Sequence, residues 1–254
     1  MKKGRLDCVG LGITLGAHIT PEAMSVLANA DVVFTATSSG IVEEWVKTIN
    51  KNTISLQTLY AEGKSRKQTY NDMVDMLLKH VRAGENVCGA FYGHPGVFAL
   101  APHKAIKKAK AEGFEAKMQP GISAEDCLIA DLGLDPGATG CQQFETSQFM
   151  FYHRVIDPAC MVILWQIGLA GDQDSKAFST DTHKLKELIS LLSRVYSLEH
   201  EVIVYEAKVL AIDETRIEKI KLKELADIHL TQSSTLVIPP KTRLIDIKLE
   251  NSVE

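Results

Sequence analysis

The sequence lacks the features that mark nucleic-acid-binding, disulfide-rich and membrane proteins. Its 28 lysines and arginines are fewer than its 32 aspartates and glutamates, so the net charge is −4 and there is no basic excess for a polyanion. The five cysteines are odd in number and widely spaced, with no C-x-x-C pair, which argues against a disulfide framework and a zinc site. No apolar run reaches the length of a membrane-spanning helix. The composition predicts a cytoplasmic protein that binds no metal, no nucleic acid and no membrane.

Two glycine-containing stretches also lack the residues that would complete a nucleotide-binding motif. The stretch from Gly10 to Gly16 reads G-x-G-x-x-x-G, one residue longer than the dinucleotide motif, and no acidic residue ends the following strand. Gly63-Lys64-Ser65 has Thr58 where a phosphate-binding loop requires glycine. We therefore reject both motifs, and a packing turn explains Gly10 to Gly16 at least as well as a ligand contact.

What the sequence does contain is a regular alternation of strand and helix patterns, in a chain of 254 residues with 45% hydrophobic residues. Helices are predicted over residues 21–30 (with Thr20 as N-cap and Pro21 at the first position), 41–50, 65–83, 98–113, 123–131 and 182–196. Strands are predicted over residues 6–11, 32–35, 86–90, 114–118, 142–145, 161–167, 202–206, 218–222 and 235–238, with a strand or extended loop over 52–59. The predicted fold class is α/β, with a Rossmann-like domain at 1–119, a second α/β domain with a mixed sheet at 120–240 and a short tail at 241–254.

The turn from Phe91 to Phe98 follows a predicted strand and precedes a predicted helix. Gly93 and Gly96 allow the backbone to approach a ligand without an intervening Cβ, and Pro95 prevents the strand from continuing. Open α/β sheets bind ligands at this edge, where strands end and helices begin. Ser123, as N-cap of the next helix, would present further amides nearby. An ordinary strand-to-helix turn and a capped helix explain the same residues equally well.

A second candidate site lies at the start of the helix over 65–83. Arg66 and Tyr70 are four residues apart and share one face of that helix, with Tyr60 on the preceding loop. A guanidinium and two phenols could converge there, although an exposed arginine and a packed tyrosine are the commoner outcome of this spacing. The lysines of the next helix are interleaved with alanines in an acidic protein, and we expect a solvated face from Lys104, Lys107, Lys108 and Lys110.

Taken together, these segments resemble the tetrapyrrole methylase superfamily, whose members bind S-adenosylmethionine in a cleft between two α/β domains. The matching pieces occur in the same order, namely the Gly10 to Gly16 turn, Tyr92-Gly93-His94-Pro95-Gly96, Pro120-Gly121-Ile122-Ser123 and Leu164-Trp165-Gln166-Ile167-Gly168. A further combination is similar to the borosin peptide backbone α-N-methyltransferases: Gly63-Lys64-Ser65-Arg66, Thr69-Tyr70, Phe91 to Phe98, Gly121 to Cys127, Ala130-Asp131-Leu132 and Ser234 to Pro240. The resemblance extends from about Leu6 to Pro240.

This resemblance implies a cofactor and assigns roles to particular residues. S-adenosylmethionine would be converted to S-adenosylhomocysteine without a metal. Its contacts would come from Gly10, Tyr92, His94, Val97, Phe98, Ser123, Ala124, Gln166, Tyr205, Ala207, Ser234 and Thr235. Tyr60, Arg66 and Tyr70 would be catalytic, and Gln57 and Tyr92 would contact the substrate. Gln57 departs from the fungal members, which have a tyrosine at this position.

The resemblance also implies partners. Family members enclose the peptide between two subunits, which implies a homodimer. Fungal members continue into a core peptide that is methylated within the same chain, whereas residues 241–254 here are short and charged. We therefore expect a separate precursor peptide, methylated in trans, with a 2:2 complex as one arrangement.

Other functions remain open at this point. Within the superfamily the methyl acceptor could be a tetrapyrrole, diphthamide or an RNA ribose, and a different class is a non-catalytic peptide-binding protein. The acidic charge opposes RNA, and the set of Tyr60, Arg66 and Tyr70 opposes a tetrapyrrole and a non-catalytic binding protein, while diphthamide stays open.

The residue types suit methylation of a backbone amide. The amide nitrogen is a poor nucleophile because its lone pair is delocalised into the carbonyl, so attack requires loss of the N–H proton and stabilisation of the imidate oxygen. Arg66 stays charged and is expected to lower the pKa of a neighbouring tyrosine from its usual value of about 10. That phenol could then accept the proton or donate to the oxygen.

Overall fold

The structure, a computed structural model, describes residues 3–37, 39–61, 63–172 and 180–244. Two compact units are present. The first comprises the described residues of Met1–Leu132, Asp172–Ala177 and Ala207–Thr215, and the second those of Gly133–Gly171, Phe178–Glu206 and Arg216–Glu254. Within the described ranges, no helix has the length and apolar character needed to cross a membrane.

The first unit is built on a parallel five-stranded sheet in the order β3-β2-β4-β1-β5. Its elements along the chain are β1 (Arg5–Gly10), α1 (Pro21–Asn29), β2 (Val32–Ala36), α2 (Gly40–Ile49), β3 (Thr53–Ser55), α3 (Arg66–Arg82), β4 (Asn86–Phe91), α4 (Leu100–Ala111), β5 (Glu115–Met118) and α5 (Ala124–Leu132). Thr20 caps α1 as predicted, since its side chain accepts a hydrogen bond from the Ala23 amide. The strand or extended loop predicted over 52–59 is instead a three-residue strand followed by a 3₁₀ turn at Leu56–Leu59.

The sheet is covered by helices on both faces. One apolar cluster joins Leu6 and Cys8 of β1 to buried residues of α3 and α4, such as Leu77 and Ala105. A second cluster joins Val9 of β1 to α1 and α2. Because successive side chains of a strand point to opposite faces, this alternation along β1 produces a three-layer α/β/α unit.

The strand order creates a crevice between β1 and β4. These strands are neighbours, but the chain leaves β1 for β2 on one side and leaves β4 for β5 on the other. Parallel α/β sheets bind ligands at such a point, beyond the carboxyl ends of the two strands. The connections that follow β1 and β4 are therefore the first places to look for a site.

The second unit has a mixed sheet in the order β6-β7-β10-β8-β9, in which only β6 and β7 are parallel. Its elements are α6 (Pro136–Thr139), β6 (Cys141–Glu145), α7 (Thr146–Phe151), β7 (Met161–Trp165), α8 (Thr182–Leu192), β8 (Glu201–Glu206), β9 (Arg216–Lys221) and β10 (Thr235–Ile238). A core of β7, β8, β10 and α8 side chains holds it together. The predicted α/β fold class with two sheets is confirmed.

Helix α5 falls within the first unit, so the units divide after Leu132 and not at 119/120 as predicted. The physical reason is contact with the β1–α1 connection, since Cys127 Sγ lies 3.8 Å from His18 Nδ1. A composition change at Gly121 does not reveal such packing. The predicted tail lies outside the described residues from 245 onwards.

Candidate functional site

The carboxyl ends of all five strands of the first unit lie on one edge of the parallel sheet, and the predicted site residues of this unit follow them. Gly10 ends β1, Tyr92 and His94 follow β4, and Ser123 follows β5. Tyr60 follows the 3₁₀ turn after β3. The fold therefore brings these residues to the same edge of one sheet. Gly10, Tyr92 and His94 follow β1 and β4, the two strands that border the crevice, whereas Tyr60 follows the edge strand β3.

Four glycines bring these connections into direct backbone contact. The Gly12 and Gly93 amides donate to each other's carbonyls at 3.3 and 3.0 Å. A Cβ on Gly10 would lie 2.3 Å from the Gly93 carbonyl oxygen, and one on Gly121 would lie 3.0 Å from both that oxygen and Gly10 Cα. Only glycine fits at these positions without displacing backbone. This close packing is sufficient reason for a glycine at position 10. It also leaves backbone without side chains at the crevice.

The β4–α4 turn presents apolar side chains at this edge. Val97 is 38% exposed and Phe98 is 56% exposed. Phe98 also has a φ of +50°, a left-handed conformation that a phenylalanine adopts only under constraint from its surroundings. His94 Nδ1 accepts a hydrogen bond of 2.9 Å from the Gly96 amide, which holds the turn in place. A constrained turn with exposed apolar groups is suited to binding a ligand.

At the start of α5, the expected free amide of Ser123 is already hydrogen-bonded within the protein. The backbone amide of Ser123 donates to Asp126 Oδ2 at 2.6 Å, and the Ser123 hydroxyl donates to the same oxygen at 2.8 Å. Ser123 caps the helix as predicted, but its amide is not free for a ligand. The carboxylate of Asp126, which lies in the first turn where a negative charge suits the helix dipole, accepts the hydrogen bond from this amide.

A cavity of about 440 Å³ opens beside these turns in the first unit, within the usual size range of small-molecule pockets. His18 Nδ1 accepts from the Thr14 amide at 3.1 Å and lies beside the Cys127 thiol. The full lining is Thr14, His18, Ile122, Asp126, Cys127, Ala130, Asp131, Ala207 and Lys208. Of the predicted cofactor contacts only Ala207 belongs to this lining, so the cavity adjoins the glycine turns without enclosing the β4–α4 turn.

Tyr60, Arg66 and Tyr70 form the polar cluster that their spacing predicts. The two phenols are hydrogen-bonded to each other, and the Arg66 guanidinium is close enough to influence the charge on Tyr60. Ser65 caps α3 by accepting from the Gln68 amide, which places Arg66 in the first turn. Arg66 Nη2 also donates to Asp172 Oδ2 at 3.2 Å. Gln57 is next to the cluster, because its carbonyl accepts from the Tyr60 amide at 3.1 Å.

The expected direction of the tyrosine pKa shift is wrong. Burial raises the pKa of Tyr60 to about 12, with further increases from Tyr70 that outweigh the lowering effect of Arg66. Burial, together with Cys127, also raises the pKa of Tyr92 to about 12. Both phenols therefore stay protonated at neutral pH and act as hydrogen-bond donors.

Spectrophotometric titration should show that at least three of the six tyrosines ionise late. The chain has six tyrosines, and burial raises the pKa to about 12 for Tyr60, Tyr92 and Tyr196. In the unfolded chain all should ionise near pH 10, so between about pH 10 and 12 the folded state holds more protons and the free energy of unfolding falls as pH rises. Phenolate absorbance of native and urea-unfolded protein measures this. A native curve with a single step near pH 10 would show that the pKa values of these phenols are not raised.

The predicted contacts of the second unit divide into one exposed residue and several buried ones. Gln166 follows β7, is exposed and has a φ of +59°, which ends the strand predicted to reach Ile167. Gln166 and Phe98 are the two non-glycine residues with positive φ in the described part of the chain. Tyr205, Ser234 and Thr235 are buried. The Ser234 hydroxyl donates to Glu206 Oε1 at 2.6 Å and accepts from the Thr231 amide at 2.7 Å.

Comparison with known proteins identifies a matching family and two similar structures. Residues 5–226 match the protein family described as Tetrapyrrole (Corrin/Porphyrin) Methylases. The fold is similar to that of a uroporphyrin-III C-methyltransferase from Thermus thermophilus, with a TM-score of 0.65, 18% identity, and coverage of 93% of this chain and 94% of that one. A cobalt precorrin-4 methyltransferase superposes with a TM-score of 0.63 at 19% identity, covering 92% of this chain and 94% of that one. At this identity the two structures inform on the fold alone.

Fungal proteins are more similar in sequence. The chain is 40% identical over 98% of its length to a methyltransferase/ribosomally synthesized type I borosin cyclic peptide precursor of Coprinopsis marcescibilis, and covers 65% of that protein. It is 37% identical over 95% of its length to the methyltransferase/omphalotin A precursor of Omphalotus olearius, and covers 59% of that protein. The chain thus spans about three fifths of the length of these relatives.

Proposed function

The chain belongs to the tetrapyrrole methylase family, and from this premise we propose that it transfers the methyl group of S-adenosylmethionine to backbone amide nitrogens of a ribosomal peptide. The observation that carries the proposal is the Tyr60–Arg66–Tyr70 cluster, at the same edge of the sheet as the glycine turns. The names of the fungal relatives, which join a methyltransferase to a peptide precursor, support the peptide as the methyl acceptor.

The residues at the crevice are suited to a neutral-to-cationic cofactor held largely by backbone. The glycine contacts leave no room for side chains at Gly10 and Gly121, and the constrained Phe98 presents an apolar ring at the same edge. S-adenosylmethionine supplies a methyl group already activated on sulfonium, so no metal is required. In the first unit His94, Val97 and Phe98 would hold it, and in the second unit the resemblance assigns a contact to Gln166. Tyr205, Ser234 and Thr235 are buried in the core of the second unit, and from there they would help to hold Gln166 in position.

The polar cluster has the groups that an amide acceptor needs. A phenol that keeps its proton at neutral pH donates a hydrogen bond, so we assign Tyr60 and Arg66 to the developing negative charge on the peptide carbonyl oxygen. Tyr70, which shares a hydrogen bond with Tyr60, is assigned to act as a phenolate. It takes the amide proton and becomes a neutral phenol as the nitrogen attacks the methyl group, and S-adenosylhomocysteine leaves. The Arg66–Asp172 contact fixes the guanidinium. Gln57, whose carbonyl accepts from the Tyr60 amide, and Tyr92, which follows β4 at the same edge of the sheet, would contact the peptide.

We also propose that the protein is a homodimer that methylates a separate precursor in the cytoplasm, with a 2:2 complex as the working form. Sedimentation velocity at micromolar concentration should then give a species of twice the chain mass, and addition of a binding precursor should increase it. A single species of one chain mass over that range would exclude the dimer.

The experiment for the proposed function is calorimetric titration with S-adenosylmethionine in the presence of EDTA, followed by transfer of an isotopically labelled methyl group to a Val/Ile/Gly-rich peptide. We expect metal-independent binding and label in the peptide. Binding without transfer to any peptide would favour the non-catalytic alternative, and transfer only to a tetrapyrrole or to RNA would favour another branch of the family.

A further inference from the structure

Lys104, Lys107 and Lys108 of α4 form one wall of a groove whose other wall is α3. Its volume is about 630 Å³, and its lining is Gln68, Asn71, Val74, Asp75, Lys104, Lys107, Lys108 and Ala111. Lys104 Nζ donates to Asn71 Oδ1 at 3.2 Å and Lys108 Nζ donates to Asp75 Oδ1 at 2.7 Å, while Lys107 is exposed. Three lysines against one aspartate give the lining itself a net charge of +2, in a chain of net charge −4, and Glu112 next to the lining interacts with Lys108. The groove is therefore a local exception to the charge of the molecule.

The groove begins next to the polar cluster. Both helices start at the edge of the sheet where the strands end, and Asn71 of the groove directly follows Tyr70 of the cluster. From Gln68 to Asp75 a helix rises by about 10 Å, which corresponds to about three residues of extended peptide. A short segment bound in the groove would thus lie within a few residues of a peptide amide at Tyr70.

We propose that this groove binds an acidic segment of the peptide substrate, about three aspartates or glutamates long, immediately beside the residues that are methylated. The inference rests on the proposed function, because it takes the substrate to be a peptide. Lysine ammonium groups would pair with the carboxylates, and Val74 and Ala111 would pack against their methylene groups. Such complementarity selects partners and orients the segment.

Binding of two labelled peptides tests the proposal by fluorescence anisotropy, without any methyl transfer. One has an apolar Val/Ile/Gly core with three glutamates on each side, and the other has glutamines in their place. We expect the glutamate peptide to bind about tenfold more tightly at low salt, because several exposed ion pairs act together, and the preference to shrink as salt screens them.

Two triple variants distinguish binding by the groove lysines from attraction by positive charge elsewhere on the surface. The preference should be lost in Lys104→Gln/Lys107→Gln/Lys108→Gln and kept in Lys51→Gln/Lys186→Gln/Lys219→Gln, which removes the same charge from exposed lysines elsewhere. Thermal denaturation checks that both variants fold. If the groove variant is unfolded, Lys107→Gln alone, the lysine without a role in the helix contacts above, should reduce the preference about threefold.

Equal binding of the two peptides, binding of neither, or a preference that survives in the groove variant overturns the proposal, and so does an RNA oligomer that displaces the glutamate peptide at equal charge. A groove-dependent preference without any methyl transfer to the bound peptide counts against the proposed function and leaves the acidic-peptide site standing.

Discussion

Tyr70→Phe should lower the turnover of a peptide substrate by about 10²–10³, the usual cost of removing one preorganised polar group from a reacting centre. The ring is retained and the core contacts of Tyr70 are kept, so only the hydroxyl that bonds Tyr60 is lost. Arg66→Ala should have a similar effect, because it removes the permanent positive charge from the cluster and leaves Asp172 without this contact. Single-turnover rates at saturating cofactor measure both.

The matched control is Tyr152→Phe. Tyr152 is 58% exposed in the second unit, so loss of its hydroxyl should leave the rate unchanged. The dissociation constant of S-adenosylmethionine should be the same in the parent, Tyr70→Phe and Tyr152→Phe, since Tyr70 is remote in sequence from the glycine turns and bonds Tyr60. Parent-like rates in both Tyr70→Phe and Arg66→Ala would remove the catalytic assignment.

Gly10→Ala should both destabilise the first unit and abolish cofactor binding. The new methyl group would lie 2.3 Å from the Gly93 carbonyl oxygen and 3.1 Å from Gly121 Cα, so backbone must move in the connections that follow β1, β4 and β5. Overpacking against rigid neighbours typically costs about 1–3 kcal/mol. Urea unfolding gives the loss of free energy, and calorimetry gives the loss of affinity.

Gly40→Ala is the control for this change. Gly40 begins α2 and has no neighbouring atom within 4 Å of an added Cβ, so the same substitution is accommodated there. Alanine is also the better helix former, and stability should stay the same or rise by less than about 1 kcal/mol. If Gly10→Ala matches Gly40→Ala in both stability and cofactor affinity, the glycine contacts do not form the binding crevice.

The fold could be predicted well from periodicity because the apolar pattern and the caps agree over most elements. Thr20 and Pro21 mark the start of α1, and the strand at Thr235–Ile238 has the predicted bounds. Errors occur where a local conformation overrides the pattern. The left-handed Gln166 ends β7 early, and the short helix at Thr146–Phe151 has too few residues for a recognisable repeat.

The site was predictable where its members are close in sequence and not where they are distant. The four-residue spacing of Arg66 and Tyr70 placed both on one helix face, and the structure brings Tyr60 to them. Asp172, the partner of Arg66, is 106 positions away and no sequence signal links the two. The sequence also does not predict the raised pKa of Tyr60, because burial depends on the packing of the whole unit and the nearby Arg66 gives no sign of it.

The most direct test of the central claim is the position of the transferred methyl group. The protein is incubated with S-adenosylmethionine carrying a deuterated methyl group and with the glutamate-flanked Val/Ile/Gly peptide, and tandem mass spectrometry then locates the label. The account predicts labelled methyl groups on backbone nitrogens of the apolar core, absent in Tyr70→Phe on the same time scale and present in Tyr152→Phe. Label found only on side chains or termini of the peptide, or only on the enzyme's own residues, would contradict it.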